Sequence, residues 1–458
     1  MKTVLVLNTG SSSVKASLFC PASEFLGKKG SERKEAYKLL TAHGEQLGTK
    51  DSFLRISISA TAADSILQGD ESKKELKHSQ SLQLTSRATD RQDDHDTGND
   101  APIIETIAIN EPNMSHKTAI LAIIDKVKAF RPELMDTVTA VGHRVVHGGD
   151  KFSESVVVND QVFREIQSFS HLAPLHNPSN LEGIRIARDV FSKEVPSVAV
   201  FDTAFHASMP RFAYTYPLPK EYSEHGIRKY GFHGTSVKYV SQVTTRILKE
   251  MNKDASRMII AHLGNGASVT AVVDGKGVDT SMEFTPLSGL MMGTRSGTID
   301  PSIVTYASEQ MGKTPAQVIS DLNNSSGLSG ITGGDNDMRI ITERASNGDR
   351  DALLAIEMFV YTLSKYIAGF LVPCGGSIDA LVFTAGIGEH SPLIRKLTIK
   401  KLSNLLGDMI VDNERNDAHG KFSGGIISAS NSSCLAMVVP TDEEAMICKE
   451  CEEFIIPH

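Results

Sequence analysis

The chain has 458 residues, with 47 lysines and arginines against 55 aspartates and glutamates and a formal net charge of −8. That length, with 40% hydrophobic and 22% charged residues, fits a soluble globular protein of two or three domains with sizeable cores. Net acidity gives no global pull toward nucleic acid or an anionic membrane, no apolar window approaches 18 residues, and MKTVLVLN is too short for a secretory signal. Five cysteines, an odd number, make no disulfide framework, so a cytoplasmic location is expected. Tryptophan is absent, and many of the 36 glycines cluster beside Ser, Thr, Asn and His, as in loops that approach a ligand closely.

In chain order, Thr3 to Leu7 and Val14 to Phe19 read as a β-hairpin around the polar turn Asn8-Thr9-Gly10-Ser11-Ser12-Ser13. From about residue 21 to 115 the composition turns polar, and the run Thr89 to Asp100 could not bury enough surface to offset its ordering entropy. This segment reads as a polar insertion with a mobile middle, with strands expected at Phe53 to Ile58 and Ile103 to Ile109. Helical periodicity returns at Lys117 to Phe130, and Val138 to Val146 is a strand candidate. Ser179 to Val190 reads as a helix capped by Ser179, and Ser197 to Phe201 as a strand ending on Asp202. Further on, a helix is expected at Ser236 to Leu248, a strand at Met258 to Ala261 and a hairpin from Ser268 to Gly277. Asp351 to Phe370 reads as a long apolar helix, Leu381 to Thr384 as a strand, and Asp442 to Ile455 as a final helix. Strands and helices mix throughout, so the class is α/β, and the two hairpin-plus-glycine-loop regions near residues 8 and 265 hint at two similar halves.

Four glycine-rich turns carry candidate chemistry: Asn8 to Ser13, His262 to Gly266, Gly333 to Asp337, and Gly386 to Glu389. Successive backbone N–H groups in such turns form anion-binding concavities, although none is a P-loop or a dinucleotide fingerprint. Two arginines stand in unusual surroundings. Arg144 lies in Gly-His-Arg-Val-Val-His-Gly-Gly, and Arg295 in Gly-Thr-Arg-Ser-Gly. An arginine in an apolar or glycine-rich run needs an anionic partner, which a ligand carboxylate or phosphate could supply. Among the histidines, the four-residue spacing of His143 and His147 would suit zinc on a helix, but Val145-Val146 favour a strand, which sets them about 13 Å apart. His233, in a glycine-rich turn ahead of a helix, is the better functional candidate, and Cys448-Lys449-Glu450-Cys451 reads as a helical coincidence.

In order, these segments resemble the acetate kinase family of the sugar kinase, Hsp70 and actin superfamily. The resemblance rests on Asn8 to Lys15, Gly142 to Gly149, Pro174 to Pro178, Phe201 to His206, Tyr230 to Ser236 and His262 to Gly266. It continues through Thr285 to Gly297, Asp337 to Arg339, Phe383 to Glu389 and Pro440 to Glu444, covering residues 1 to 19 and about 117 to 458. It implies a two-lobed, duplicated ribonuclease H-like fold closing on a central cleft. An N-terminal lobe would comprise residues 1–204 plus 441–458, and a nucleotide-binding lobe 205–440. The implied reaction is reversible transfer of the ATP γ-phosphoryl group to acetate, giving acetyl phosphate and ADP, with Mg²⁺ (or Mn²⁺ as a substitute). It would run in a cytoplasmic homodimer with no nucleic-acid or membrane partner. Such chemistry needs positioning and charge neutralisation rather than a strong base, because the acceptor is already ionised.

By the same resemblance, Asp202, His233, Arg295 and Arg144 are the catalytic set, with Asp202 orienting an arginine or the metal. Arg144, Val146, Leu175, His176, Phe232 and Pro286 would hold acetate. Lys15, His262, Leu263, Gly264, Asn265, Gly266, Asp337, Met338, Arg339, Gly386, Ile387, Gly388, Glu389 and His390 would hold the nucleotide, and Asn8 and Glu443 the metal. The chain departs from the family pattern at Val237, Thr298, His390 and Gly333-Gly334, the last three bearing on the nucleotide. Alternatives are a propionate or butyrate kinase or a pyrophosphate-dependent form. A non-catalytic nucleotide switch would have no need of Arg144, Asp202, His233 and Arg295 together, and the histidine spacing disfavours a metallohydrolase.

Overall fold

The computed structural model describes residues 2–10, 12–21, 36–59, 103–130, 132–174, 176–432 and 434–455. Two sheets organise them. The first has eight strands in the order β5-β4-β3-β2-β1-β6-β8-β7. They are β1 (Thr3–Thr9), β2 (Val14–Cys20), β3 (Tyr37–Glu45), β4 (Phe53–Ser59), β5 (Ile103–Asn110), β6 (Val138–Val145), β7 (Val156–Val157) and β8 (Ser197–Phe201). The second has five in the order β11-β10-β9-β12-β13, formed by β9 (Arg257–Leu263), β10 (Ala267–Val273), β11 (Lys276–Thr280), β12 (Ala380–Thr384) and β13 (Leu435–Val438).

The two sheets share one plan. In the first, β3-β2-β1 is an antiparallel meander, and β6 and β8 then run parallel to β1. In the second, β11-β10-β9 is the meander, with β12 and then β13 alongside, all three parallel. This repeated unit is the duplication that the two hairpins hinted at. Its parallel strands are apolar on both faces, as burial under helices on each side requires: Val4, Leu5, Val6 and Leu7 of β1 and Ala380, Leu381, Val382 and Phe383 of β12 are all buried.

Helices cover these faces. In the first sheet, α1 (His116–Phe130) and α2 (Asn177–Val190) pack Ile120, Ile124, Ile186 and Ala187 against one side. On the second sheet, α3 (Gly234–Glu250) packs Val237, Val240 and Leu248 on one face. Helix α4 (Met338–Ser346) and the long helix α5 (Arg350–Phe370) lie on the other face. By length and composition alone α5 could cross a membrane, but Ala352, Ala355, Ile356, Phe359, Leu363 and Ile367 are buried in the core of this sheet. Two further helices complete the site region, the short α6 (Ala385–His390) and α7 (Pro392–Leu402). The last helix, α8 (Glu443–Glu452), returns to the first sheet and packs Ile447, Cys448 and Cys451 against Val4, Val6, Ala140 and Val198.

Three expectations change. Residues 21–115 are not one insertion, because β3, β4 and β5 extend the first sheet and bury Leu40, Ala42, Leu54 and Ile56 in its core. The polar run Thr89 to Asp100 lies outside the described residues. Helix α2 starts at Asn177, not after Ser179, with Pro178 in its first turn, where a missing N–H costs nothing. The glycine turn after β12 is instead the helix α6, entered through Ala385 at a left-handed φ of 63°.

Helix α8 sits close to β6 because Gly142 has no side chain. A Cβ there would fall 2.5 Å from Ile447 Cγ2 and 2.7 Å from Cys451 Sγ. Gly142→Val should therefore destabilise the fold by about 1–3 kcal/mol, the usual range for overpacking. Urea unfolding followed by circular dichroism would measure it, and an unchanged midpoint would show that α8 has room to move.

Candidate active site

The parallel strands of both sheets end in the candidate residues, as ligands in α/β proteins lie outside the carboxyl ends of strands. Asn8 stands near the end of β1, Arg144 at the end of β6, Asp202 just past β8, and His262 at the end of β9. Strand β12 runs directly into α6.

The first sheet presents an ion pair. Arg144 Nε donates to Asp202 Oδ1 at 3.0 Å and Oδ2 at 3.1 Å, and Nη2 donates to Oδ2 at 2.7 Å. Asp202 is itself fixed from three directions. Its N–H donates to the Val145 carbonyl at 3.0 Å, its carbonyl accepts from Gly234 N–H at 2.9 Å, and Thr235 Oγ1 donates to Oδ1 at 3.3 Å. The remaining guanidinium nitrogen, Nη1, lies 3.4 Å from Asn8 Oδ1 and 3.8 Å from Glu443 Oε2. Burial alone would lower the Arg144 pKa, but Asp202 and Glu443 outweigh it and hold the charge more firmly than in water.

Arg295 contrasts with it. Among the described residues it has no carboxylate partner, and Nη1 donates to the Pro286 carbonyl at 3.2 Å. Burial lowers its pKa through the loss of solvation. It remains charged even so, because the ordinary value is far above neutrality. A cation in that state is prepared for an incoming anion.

Between the two arginines lie stacked imidazoles. The rings of His233 and His262 are 4.0 Å apart at 21°. His233 Nδ1 is 3.0 Å from Ser268 Oγ, and His262 Nδ1 is 2.8 Å from Ser236 Oγ, which in turn is 2.7 Å from Thr441 Oγ1. Burial first, then the neighbouring His262 and the charges of Arg144 and Arg295, push His233 well below its ordinary value. Burial and Arg144 bring His262 to about 4. His233 also occupies a left-handed backbone conformation at φ 58°, an uncommon state for a residue with a side chain and one found at functional sites.

The glycine loop of the second sheet closes the arrangement. A Cβ on Gly266 would come within 3.3 Å of Arg295 Nη1 and 3.5 Å of His233 Nε2, so glycine brings the backbone up to both. Asn265 ties this loop outward, its carbonyl accepting from Gly293 N–H at 2.9 Å and its Oδ1 from Asn336 Nδ2 at 3.2 Å. Arg295, His233 and His262 thus gather at residues 264–266.

The other expected residues distribute as follows. Val146 and Phe232 share a buried apolar cluster, and Pro286 supplies the carbonyl that holds Arg295. Leu175 lies outside the described residues. His176 precedes α2, and burial together with Arg144 and Arg295 lowers its pKa to about 4. Lys15 faces Asn8 across the hairpin and lines a cavity of about 280 Å³ with Ser12, Ser13 and His43. Asp337 caps α4 and pairs with Arg339, while Met338 is buried with Leu263. Gly386, Ile387 and Gly388 form α6, and His390 meets His419 edge-on at 6.0 Å.

Glu389 behaves as a brace. Its Oε1 accepts from Ala385 N–H at 2.8 Å and from Thr441 N–H at 3.2 Å, joining α6 to the chain entering α8. Arg395 does similar work and was not anticipated. It is fully buried, and its five N–H groups reach the Gly388 and Glu389 carbonyls, the side chain and carbonyl of Asn416, and His419 Nδ1. Ser236, Ser268 and Thr441 were also missed, because single hydroxyl residues carry no sequence signal until folding sets them beside a histidine.

Among the described residues, no group of three or more His, Cys, Asp or Glu side chains has the arrangement of a metal site. His143 lies in β6 and His147 beyond its end, where His147 packs against Tyr230 at 4.5 Å. Cys448 and Cys451 are buried thiols whose pKa burial pushes up.

The model of the acetokinase family matches residues 103–449. The chain belongs to the acetokinase family. It is 47% identical over 364 residues to an acetate kinase of Carboxydothermus hydrogenoformans, covering 78% of this chain and 89% of that one. It is 50% identical over 342 residues to an acetate kinase of Shewanella oneidensis, covering 74% and 84%. Among solved structures, a propionate kinase from Francisella tularensis superposes with a TM-score of 0.79 at 38% identity, covering 98% and 99%. Porphyromonas gingivalis acetate kinase superposes with a TM-score of 0.77 at 32% identity over the full length of both. The two-sheet plan described above is therefore that of a family of carboxylate kinases.

This acetokinase-family chain keeps many histidines neutral by burial. His143 is brought to about 3, and His147, His176, His206 and His262 to about 4. His143 Nε2, His147 Nε2 and His206 Nδ1 are buried without a hydrogen-bond partner, consistent with uncharged rings. The unfolded chain takes up protons near pH 6.5, whereas the folded chain does so only near 4 or below. Unfolding between these values therefore binds protons. Stability should be full above about pH 6.5 and fall steadily toward pH 4, with a slope of more than one proton in urea unfolding series. A flat profile between pH 7 and 5 would show that these rings are not held neutral.

Proposed function

We propose that the chain is an acetate kinase, transferring the γ-phosphoryl group of ATP reversibly to acetate. The observation that carries the reading is the unequal state of the two arginines. Arg144 is held rigid by Asp202, while Arg295 has no carboxylate partner among the described residues and faces the glycine loop beside His233.

The reading assigns each group a task. Arg144 holds the acetate carboxylate, with its methyl toward Val146, Phe232 and Pro286. Asp202 is no base, since Arg144 and Thr235 occupy its oxygens and the acceptor is already an anion. It orients Arg144 instead. Arg295 and the neutral His233 meet the charge that spreads over the transferring phosphoryl oxygens. The backbone N–H groups of residues 264–266 and Lys15 hold the nucleotide phosphates, and residues 337–339 with α6 hold adenosine.

The donor set also suits a magnesium ion. Asn8 Oδ1 and Glu443 Oε2 are both hard oxygens close to Arg144 Nη1, and Mg²⁺ is commonly held by one or two protein oxygens plus water and phosphate. When bound, the ion would neutralise phosphate charge. Manganese would serve as a substitute.

In this reading the two sheets centre two lobes, residues 1–204 with 441–458 and residues 205–440, whose closure excludes water from the phosphoryl group. Family resemblance supports a cytoplasmic homodimer, and the exposed apolar residues Leu353, Leu354, Met358 and Tyr361 of α5 support the dimer. Propionate is expected as a weaker second substrate, because one methylene is discriminated by only about 1–3 kcal/mol.

Arg295→Ala should lower kcat by about 10²–10³-fold, the typical cost of one lost charge-stabilising donor, with an unchanged circular dichroism spectrum. The assay is hydroxamate formation from acetate and ATP, run in parallel with propionate, butyrate and pyrophosphate. Near-normal turnover in the variant, or a preference for pyrophosphate, would overturn the assignment.

A further inference from the structure

We infer that Ser236 and Ser268 are positioning residues that fix both stacked histidines in one tautomer, with the proton on Nε2, and that Thr441 sets the direction of one of these bonds. The inference rests on the reading of this cluster as the phosphoryl site.

The geometry is crossed. Helix α3 supplies His233 and, one turn later, Ser236. The β9–β10 hairpin supplies His262 and, directly opposite it in register, Ser268. Each imidazole Nδ1 meets the serine of the other element, at 3.0 Å for His233 with Ser268 and 2.8 Å for His262 with Ser236. The two serines, and the short distance between the rings, lock the histidines as a pair.

Hydrogen-bond accounting decides the direction. Ser268 is fully buried, and among the described residues its hydroxyl meets no side chain other than His233. If His233 donated from Nδ1, the Ser268 proton would be left buried without an acceptor, a loss of about 1–3 kcal/mol. Donation from Ser268 to Nδ1 leaves no buried hydroxyl proton without an acceptor. For His262 the same logic runs through a chain of two hydroxyls. Thr441 donates to Ser236, and Ser236 donates to His262 Nδ1. The reverse order would leave the half-buried Thr441 hydroxyl proton with no acceptor among the described residues. Because a neutral imidazole carries one proton, both rings then hold it on Nε2.

That placement serves the site. His233 Nε2 points at the Gly266 backbone, 3.5 Å from where a Cβ would stand, and His262 Nε2 lies 4.0 Å from the equivalent point on Gly264. Together with Arg295 Nη1, two N–H donors are aimed at the loop that cradles the phosphates. With the opposite tautomer each ring would present a lone pair to phosphate oxygens and repel them. Stacking and burial keep both rings from becoming cations, so the tautomer alone decides whether they attract the substrate.

The test is nitrogen NMR on the full-length, histidine-labelled enzyme, joined to kinetics. Wild type should show His233 and His262 as neutral Nε2–H tautomers, unchanged from pH 8 to pH 6. Ser236→Ala should move His262 toward a mixture of tautomers and lower kcat by about 10–100-fold, within the range that outer hydrogen-bond partners typically contribute. Thr441→Val should perturb the same His262 signal more weakly, and Ser268→Ala should act on His233. Ser268→Thr, which keeps the hydroxyl, should restore the His233 tautomer. An Nδ1–H signal for either ring in the wild-type protein overturns the inference without any variant. So does a Ser236→Ala enzyme with unchanged tautomer and kcat. If the tautomers are as stated but Arg295→Ala keeps full activity, the phosphoryl-site reading fails and the tautomer lock stands.

Discussion

The ion pair between the half-buried Arg144 and the buried Asp202 is the constraint around which the site is built. It joins the ends of the neighbouring parallel strands β6 and β8, and its main-chain and hydroxyl contacts reach the start of α3. An arginine placed there without Asp202 would keep only the more distant Glu443 to offset its charge. With Asp202 it becomes a fixed reference, and Asn8, Glu443 and His233 are arranged relative to it. The pair is thus a positioning device more than a source of stability.

Duplication explains why the site is assembled from both ends of the chain. Each sheet places its parallel strand ends at one edge, and each contributes a hairpin loop there. The first supplies a carboxylate-bound arginine, and the second supplies neutral histidines, glycines and an arginine with no carboxylate partner among the described residues. Thr441 lies where these contributions meet: its N–H reaches Glu389 of α6, and its hydroxyl reaches Ser236 on α3. Helix α8, which begins two residues later, carries Glu443 back to the first sheet. A net charge of −8 is compatible with the proposed anion site, because the local sign there would be set by Arg144, Arg295, Lys15 and oriented backbone dipoles, not by the total.

Much of this was legible in residue order. The periodicity of Lys117 to Phe130 and Asp351 to Phe370 gave helices, and the apolar runs of β1, β6, β8, β9 and β12 gave strands, because both patterns report burial directly. Arginines inside glycine-rich or β-branched runs marked themselves as needing an anion. Less legible was the meander strand β3. Strands were expected where β4 and β5 lie, but the polar composition around all three resembles an insertion until pairing in the first sheet buries Leu40, Leu54 and Ile56. The loop after β12 looked like a glycine turn because the sequence does not show Arg395 and Glu389 satisfying its backbone.

The sequence by itself determined which groups were available: the two arginines, the histidines, the glycine loops, and the alternation that makes each half a sheet flanked by helices. Tertiary structure alone decided which arginine carries a carboxylate, that His233 and His262 stack at 4.0 Å, and that each meets a serine from the opposite element. The reason is range. Periodicity and turn chemistry act over a few residues, whereas Arg144 with Asp202 are 58 positions apart and Ser236 with Thr441 are 205 apart. No local pattern encodes contacts at such separations; they arise when two folded sheets bring their strand ends together.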